Sequence, residues 1–184
     1  MAKFYSQLSD ELRNFISMQS IFFVATAAAG ARINLSPKGI DTFRCISETV
    51  VGYLDLTGSG NETAAHLRAD GRITVMFCSF TEKPLILRIY GEGKVIRPQD
   101  REWTHFSPLF PSFAGTRQFM RINIQSLQIS CGFSIPLMAL EGERPLLEEW
   151  AIKKGPEGLL EYRRTRNQRS IDDLPTGLLD DAQM

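Results

Sequence analysis

Apolar and polar positions alternate through most of the sequence up to Ser134, switching to helical spacing only in short stretches. Ser9 or Asp10 can cap a helix running to about Met18, with Leu12, Phe15 and Ile16 on one face. The run "SIFFVATAAAGARINLSPKG" then reads as a hairpin. In it Phe22, Val24 and Thr26 alternate with Phe23, Ala25 and Ala27, and Gly30 marks the turn. On the returning strand Ile33 and Leu35 face one side and Arg32, Asn34 and Ser36 the other, with Pro37 expected to end pairing before Lys38.

Further β-rich runs follow in "TFRCI" and "TVVGYLDL", separated by Ser47-Glu48. A helix after Asn61 extends only to about Ala69, because Asp70-Gly71 is a turn signal. "RITVMFCSF" is a strand, and residues 84–97 form a long one in which Gly91 and Gly93 predict a bulge or a close approach. Pro98-Gln99-Asp100 opens a helical piece containing Trp103, "RQFMRINIQSLQISCGFS" resumes the β pattern, and residues 143–165 read as helix. Leu146, Leu147 and Trp150 are the side chains expected to pack that helix on the sheet.

Strands at short spacing with few intervening helices predict a mainly β fold, an antiparallel barrel with short helices, rather than a parallel sheet. One domain is expected: an N-terminal helix (1–18), a barrel (19–140), and a helical extension with a tail (141–184). A 43% apolar content is ordinary for a soluble domain, and zero formal charge argues against a broad footprint for nucleic acid or anionic membrane, so anion binding must be local. No run approaches a membrane span and no basic-then-apolar leader is present. Three well-separated cysteines, Cys45, Cys78 and Cys131, read as reduced core thiols in a cytoplasmic protein, and two histidines leave few ligands for a metal.

The candidate chemistry begins at Gly58-Ser59-Gly60-Asn61-Glu62-Thr63. A nucleoside-triphosphate loop needs a lysine after its last glycine, and a dinucleotide fingerprint needs a third glycine opening a full crossover helix. Both are missing. The remaining reading is a helix N-terminus whose unpaired amides favour an anion, with Ser59, Asn61 and Thr63 adding short polar groups. A capped turn without ligand stays open beside it. The polar strand face Asn34, Ser36 and Lys38 offers an amide, a hydroxyl and a cation for a heteroaromatic ring edge and its phosphate; a merely solvated face is the alternative. Arg88, mid-strand among aliphatic residues, calls for an anion or a carboxylate partner.

The blocks "FVATAAAGARINLSPKG", "YLDLTGSGNETAAHLRADGRITVMFCSF" and "LRIYGEGKVI", with "ISCGFSIP" and the closing "NQRSIDDLP", resemble the pyridoxamine 5'-phosphate oxidase-related group of FMN-binding split-barrel proteins. The resemblance implies a Greek-key-like split-barrel homodimer with FMN in clefts at the dimer interface. Carried onto this chain, Asn34, Ser36 and Lys38 line the ring or ribityl chain, Ser59, Asn61 and Thr63 meet the phosphate, and Met76 or Phe77 lies beneath the ring. Arg88 joins the cofactor-binding set, and residues near Gln118, Arg121 and Cys131–Ser134 are expected to reach in from the partner. Two departures are visible: Asn61-Glu62-Thr63 stands where pyridoxamine phosphate oxidases carry Ser-Arg-Lys, and "DDLP" replaces their arginine-bearing closing segment.

The function implied is hydride transfer through the flavin N5 to or from a small-molecule substrate, with a nicotinamide cofactor as electron donor and no catalytic residue assigned. The alternatives are a non-catalytic flavin binder or redox sensor, a genuine pyridoxamine 5'-phosphate oxidase, and a relative binding haem or deazaflavin. His66 reads as a packing or local capping residue, and the cluster Arg163, Arg164, Arg166 and Arg169 as a solvated helix end.

Overall fold

Ser9 caps the first helix by accepting from the Leu12 amide, and the three apolar residues of that helix are buried against a sheet. The computed structural model describes residues 2–180. Its elements begin with β1 (Lys3–Tyr5), α1 (Asp10–Ser17), β2 (Phe22–Thr26), β3 (Asn34–Lys38) and β4 (Phe43–Cys45). They continue with β5 (Val50–Leu56), α2 (Glu62–Ala69), β6 (Arg72–Cys78) and β7 (Ile86–Ile96). Last come α3 (Trp103–Phe106), β8 (Thr116–Ser130) and α4 (Leu146–Arg166).

All strand pairs are antiparallel, in the order β3-β2-β6-β7-β8-β5-β4, with β1 added on β8. The sheet is a half-barrel whose two ends, β3 and β4, do not pair with each other. Strand alternation sends Val24, Val51, Tyr53, Val75, Phe77, Leu87, Ile89, Met120 and Ile122 inward, where α1 and α2 close the core. Phe22 on β2 meets Phe43 on β4 edge-on at 5.1 Å, so aromatic packing spans the gap that hydrogen bonds leave open. On the sheet's other face Leu54, Ile96 and Phe119 pack with Phe106 and Phe110 in a second cluster.

The bulge expected in the long strand lies between Tyr90 and Gly91. A Cβ at Gly91 would sit 2.3 Å from the Asn123 carbonyl oxygen, so β7 and β8 approach there as only glycine allows. Pro37, by contrast, does not end the hairpin. It pairs with Phe23, and Lys38 with Phe22, because β3 is an edge strand and a missing N–H on an edge costs no ladder bond.

Three further expectations change. The N-terminal segment contributes β1 as well as a helix. Leu146 and Leu147 are exposed, and α4 instead buries Ala151 and Leu159. Gly155, at φ +66° and followed by Pro156, breaks α4 into two arms, and Trp150 packs edge-on against Tyr162 across that kink. Of the three thiols Cys78 is buried, Cys45 partly so, and Cys131 is exposed rather than core.

Candidate functional site in the split of the barrel

A cleft of about 290 Å³ opens between the edge strand β3 and the loop joining β5 to α2. Its walls bring together six of the residues singled out in the sequence, Asn34, Ser36, Lys38, Ser59, Asn61 and Thr63. The hairpin supplies the first three because they are every second residue on one face of β3. The loop supplies the rest because Gly58 and Gly60 carry no side chains to fill the space.

Lys38 donates to Asp55 Oδ1 at 3.1 Å, linking β3 to β5 across the split. Asp55 is buried at 2% exposure, and its other oxygen accepts from Arg117 Nε at 3.0 Å, Arg117 Nη2 at 2.8 Å and Gln118 Nε2 at 2.9 Å. Burial alone would raise this carboxyl. The charges of Arg117 and Lys38, with the hydrogen bonds from Arg117 and Gln118, outweigh it and hold Asp55 well below the usual carboxylate range. Adjacent strand residues ordinarily point to opposite faces, yet Arg117 and Gln118 both reach Asp55. The cause is the second bulge, where Asp55 pairs with Gln118 but Leu56 pairs with Thr116, so Arg117 is the extra residue and is re-aimed inward.

A second network runs along the hairpin side. Ser36 Oγ donates to Asn34 Oδ1, and Asn34 Nδ2 donates to Thr26 Oγ1 and Thr63 Oγ1, each at 3.1 Å. Thr26 Oγ1 lies 3.1 Å from His66 Nδ1. His66 is therefore a buried packing partner inside α2, and its Nε2 has no hydrogen-bond partner among the described residues.

Asn61 sits at the N-cap of α2 but does not cap it. Its Oδ1 accepts from Gln118 Nε2 at 2.7 Å and its Nδ2 donates to the Asn167 carbonyl at 3.2 Å. The chain after α4 thus returns to cover the loop from outside. Asn167 Nδ2 donates to Gly58 O, the Ile171 amide donates to both Glu62 oxygens, and Arg32 pairs with Asp172. Arg163 is half-buried, not a solvated helix end: it donates to Thr57 Oγ1 at 2.9 Å and to the Thr116 carbonyl at 2.8 Å.

Met76 and Arg88 do not line this cleft. They are cross-strand partners on the opposite face of β6 and β7, because the inward positions are taken by Val75, Phe77, Leu87 and Ile89. Phe77, the other residue of the expected pair beneath the ring, is in the core. Arg88 is half-exposed and its guanidinium donates to Ser130 Oγ at 3.3 Å, so it needs no buried carboxylate. Gln118 is fully buried within its own chain's network rather than reaching outward.

Asp55, Arg117 and Asn167 were not singled out in the sequence, and Arg163 was read there only as part of a solvated helix end. Asp55 carried a signal: alternation places it on the inward face with Val51 and Tyr53, where an acid requires partners. Arg117 carried none, since the bulge that turns it inward has no glycine to mark it.

Lys38 and Arg117 are formally balanced by Asp55 and Glu62, so net charge does not favour an anion here. Its attraction lies in the loop amides, the hydroxyls of Ser36, Ser59 and Thr63, and Lys38, which retains donor capacity beyond Asp55. This donor set fits a phosphate monoester on a polar chain. The volume lies near the lower end of the roughly 300–1,000 Å³ typical of small-molecule sites, room for the polar end of a mononucleotide cofactor.

The sequence model of the pyridoxamine 5'-phosphate oxidase family matches residues 8–131. The pyridoxamine 5'-phosphate oxidase family protein ustO of Aspergillus flavus is 40% identical over 195 residues, covering 95% of this chain and 78% of that protein. Among solved structures, HupZ of Group A Streptococcus superposes with a TM-score of 0.53 at 18% identity, covering 72% of this chain and 99% of that one. A Lactobacillus delbrueckii protein described as a candidate pyridoxamine 5'-phosphate oxidase gives 0.52 at 16% identity, covering 67% and 94%. At such identities the structures speak for the split-barrel fold alone. The family match, the relative and the split barrel agree: this chain belongs to the pyridoxamine 5'-phosphate oxidase family.

Proposed function

We propose that the protein is an FMN-binding flavoprotein, an oxidoreductase acting on a small molecule with a nicotinamide cofactor as electron donor. The observation that carries this reading is the meeting of Asn34, Ser36 and Lys38 with the Gly58–Thr63 loop in one cleft, from segments far apart in the chain. The amides at the start of α2, with Ser59 and Thr63, hold the phosphate. Ser36 and Asn34 meet the polar chain that follows, and Lys38 stabilises negative charge on the ring. When bound, the flavin supplies two-electron redox chemistry by taking or giving hydride at N5. Asp55 fixes the Lys38 ammonium, and the Arg117–Gln118 pair keeps Asp55 ionised.

Vitamin B6 oxidation is not the reading favoured. Glu62 stands where a cation is expected near the phosphate, and its carboxylate is committed to the Ile171 amide. A homodimer with the cofactor at its interface is part of the proposal. All residues from 136 to 149 are exposed, and the apolar side chains of Leu137, Met138, Leu140, Leu146 and Leu147 among them support a second copy that covers them. No helix among the described residues is long and apolar enough to cross a membrane, and a cytoplasmic site of action is proposed with the rest.

An absorption spectrum of purified protein tests the cofactor. Yellow protein that takes up FMN stoichiometrically, bleaches with a reduced nicotinamide and recovers with an acceptor supports the enzyme. Protein that retains flavin without cycling supports a binder alone, and protein that takes up no FMN ends the proposal.

A further inference from the structure

The segment that follows α4 contributes to the cleft without lining it. Asn167 is completely buried and uses both ends of its amide, donating from Nδ2 to Gly58 O at 3.1 Å and accepting at Oδ1 from Arg117 Nη1 at 2.9 Å. Its own carbonyl accepts from Asn61 Nδ2 at 3.2 Å and from Thr176 Oγ1 at 2.7 Å. Arg117 Nη1 also donates to Gly60 O at 2.9 Å. Two loop carbonyls are thereby held, that of Gly58 by Asn167, which does not line the cleft, and that of Gly60 by Arg117 in its wall.

A trans peptide is planar, with its C=O and the next residue's N–H pointing in opposite directions. Fixing the Gly58 and Gly60 carbonyls therefore aims the Ser59 and Asn61 amides the other way. Those two amides, and that of Glu62, donate no hydrogen bond among the described residues. The N-cap residue adds to the effect, since the Asn61 side chain is bound to Asn167 and Gln118 and leaves the helix N-terminus uncapped.

We infer that Asn167 is a positioning residue that shapes the Gly58–Asn61 loop into a receptor for a phosphate monoester, and that residues 167–176 are a strap selecting phosphorylated over unphosphorylated flavin. This rests on the flavin reading above. The strap lies beyond residues 8–131, the part matched by the family model, so the selectivity element belongs to the C-terminal extension. It is latched at two points outside the loop carbonyls: the Ile171 amide on Glu62, and Asp172, which accepts from the Arg32 amide at 2.7 Å and pairs with its guanidinium.

The test compares FMN with riboflavin, which differ only in the phosphate, by fluorescence titration of full-length wild type, Asn167→Ala and Asp172→Ala. Wild type is expected to prefer FMN. Asn167→Ala loses about tenfold in FMN affinity, the scale of one charge-assisted hydrogen bond, while riboflavin binding stays within about twofold. Asp172→Ala, which cuts the latch at the surface, moves the same ratio in the same direction and decides the matter if Asn167→Ala does not fold. A parallel loss of both flavins in the folded variants, or an unchanged ratio, overturns the positioning role while leaving the flavin reading intact. Wild type that binds both flavins equally also overturns it, and wild type that binds neither overturns both readings together.

Discussion

Asp55 and Arg117 form a buried ion pair at 2.8 Å, although strict alternation along β8 would turn Arg117 to the other face of the sheet. Neither side chain exceeds 4% exposure. Removing one member leaves the other charge uncompensated, which typically costs about 3–5 kcal/mol. Asp55→Asn is therefore expected to lower stability on that scale, read as a fall in the urea midpoint at neutral pH. Loss under about 1 kcal/mol would show that the Gln118 side-chain oxygen, which has no partner among the described residues, had relaxed to accept from the arginine.

The same pair sets an acid dependence. The folded-state pKa of Asp55 is depressed, so its contribution is full above the unfolded value of about 3.9 and is lost as pH falls from there through the folded value. The stability gap between wild type and Asp55→Asn is expected to stay level from pH 7 to about pH 4.5 and to close below about pH 4. A gap that widens on acidification would contradict the assignment. Chemical denaturation at several pH values measures it directly.

Lys38→Ala should separate binding from folding. Its ammonium is partly exposed and makes one contact with Asp55, which keeps Arg117 and Gln118. FMN affinity is expected to fall about tenfold with little change in the unfolding midpoint, the scale of one charged hydrogen bond to the ligand. Wild-type affinity would place Lys38 outside the binding set.

Asn61→Ala is expected to behave differently. Asn61 is 3% exposed and binds both Gln118 and the Asn167 carbonyl, so its loss opens the seam between the loop and the returning chain. A stability loss of about 1–3 kcal/mol should accompany weaker FMN retention. Weak retention at unchanged stability would mean that Asn61 acts on the ligand alone.

Thiol labelling checks the outer surface. Cys131 is exposed and should react rapidly with an aromatic disulfide reagent, one equivalent per chain. Burial pushes the Cys45 thiol up to about 11 despite nearby Arg13, and burial likewise raises Cys78, so both should wait for unfolding. Three fast thiols in native protein would contradict the packing of β4 and β6.

The sequence by itself determined the strands other than β1, the short α2, the first helix with a cap at Ser9 or Asp10, and a bulge or close approach at Gly91 or Gly93. Each depends on local patterning: alternation, caps and turn residues act over a few positions. It also marked Asn34, Ser36, Lys38, Ser59, Asn61 and Thr63, because polar side chains on an inward strand face and glycines before a helix are locally conspicuous. The resemblance implied one cofactor site for these six, and only the tertiary structure brings them into one cleft, since that follows from the order in which distant strands pair. It also decided that Met76 and Arg88 lie elsewhere, that Pro37 is harmless on an edge strand, and that Asp55 has Arg117 as its counter-ion. The last is the clearest case. A bulge changes which way a side chain points through the register of two strands, and register is fixed by burial along the whole pair rather than by any residue within it. Asn167 follows the same logic, for its partners Gly58, Asn61 and Arg117 meet only when the chain beyond α4 folds back over the loop.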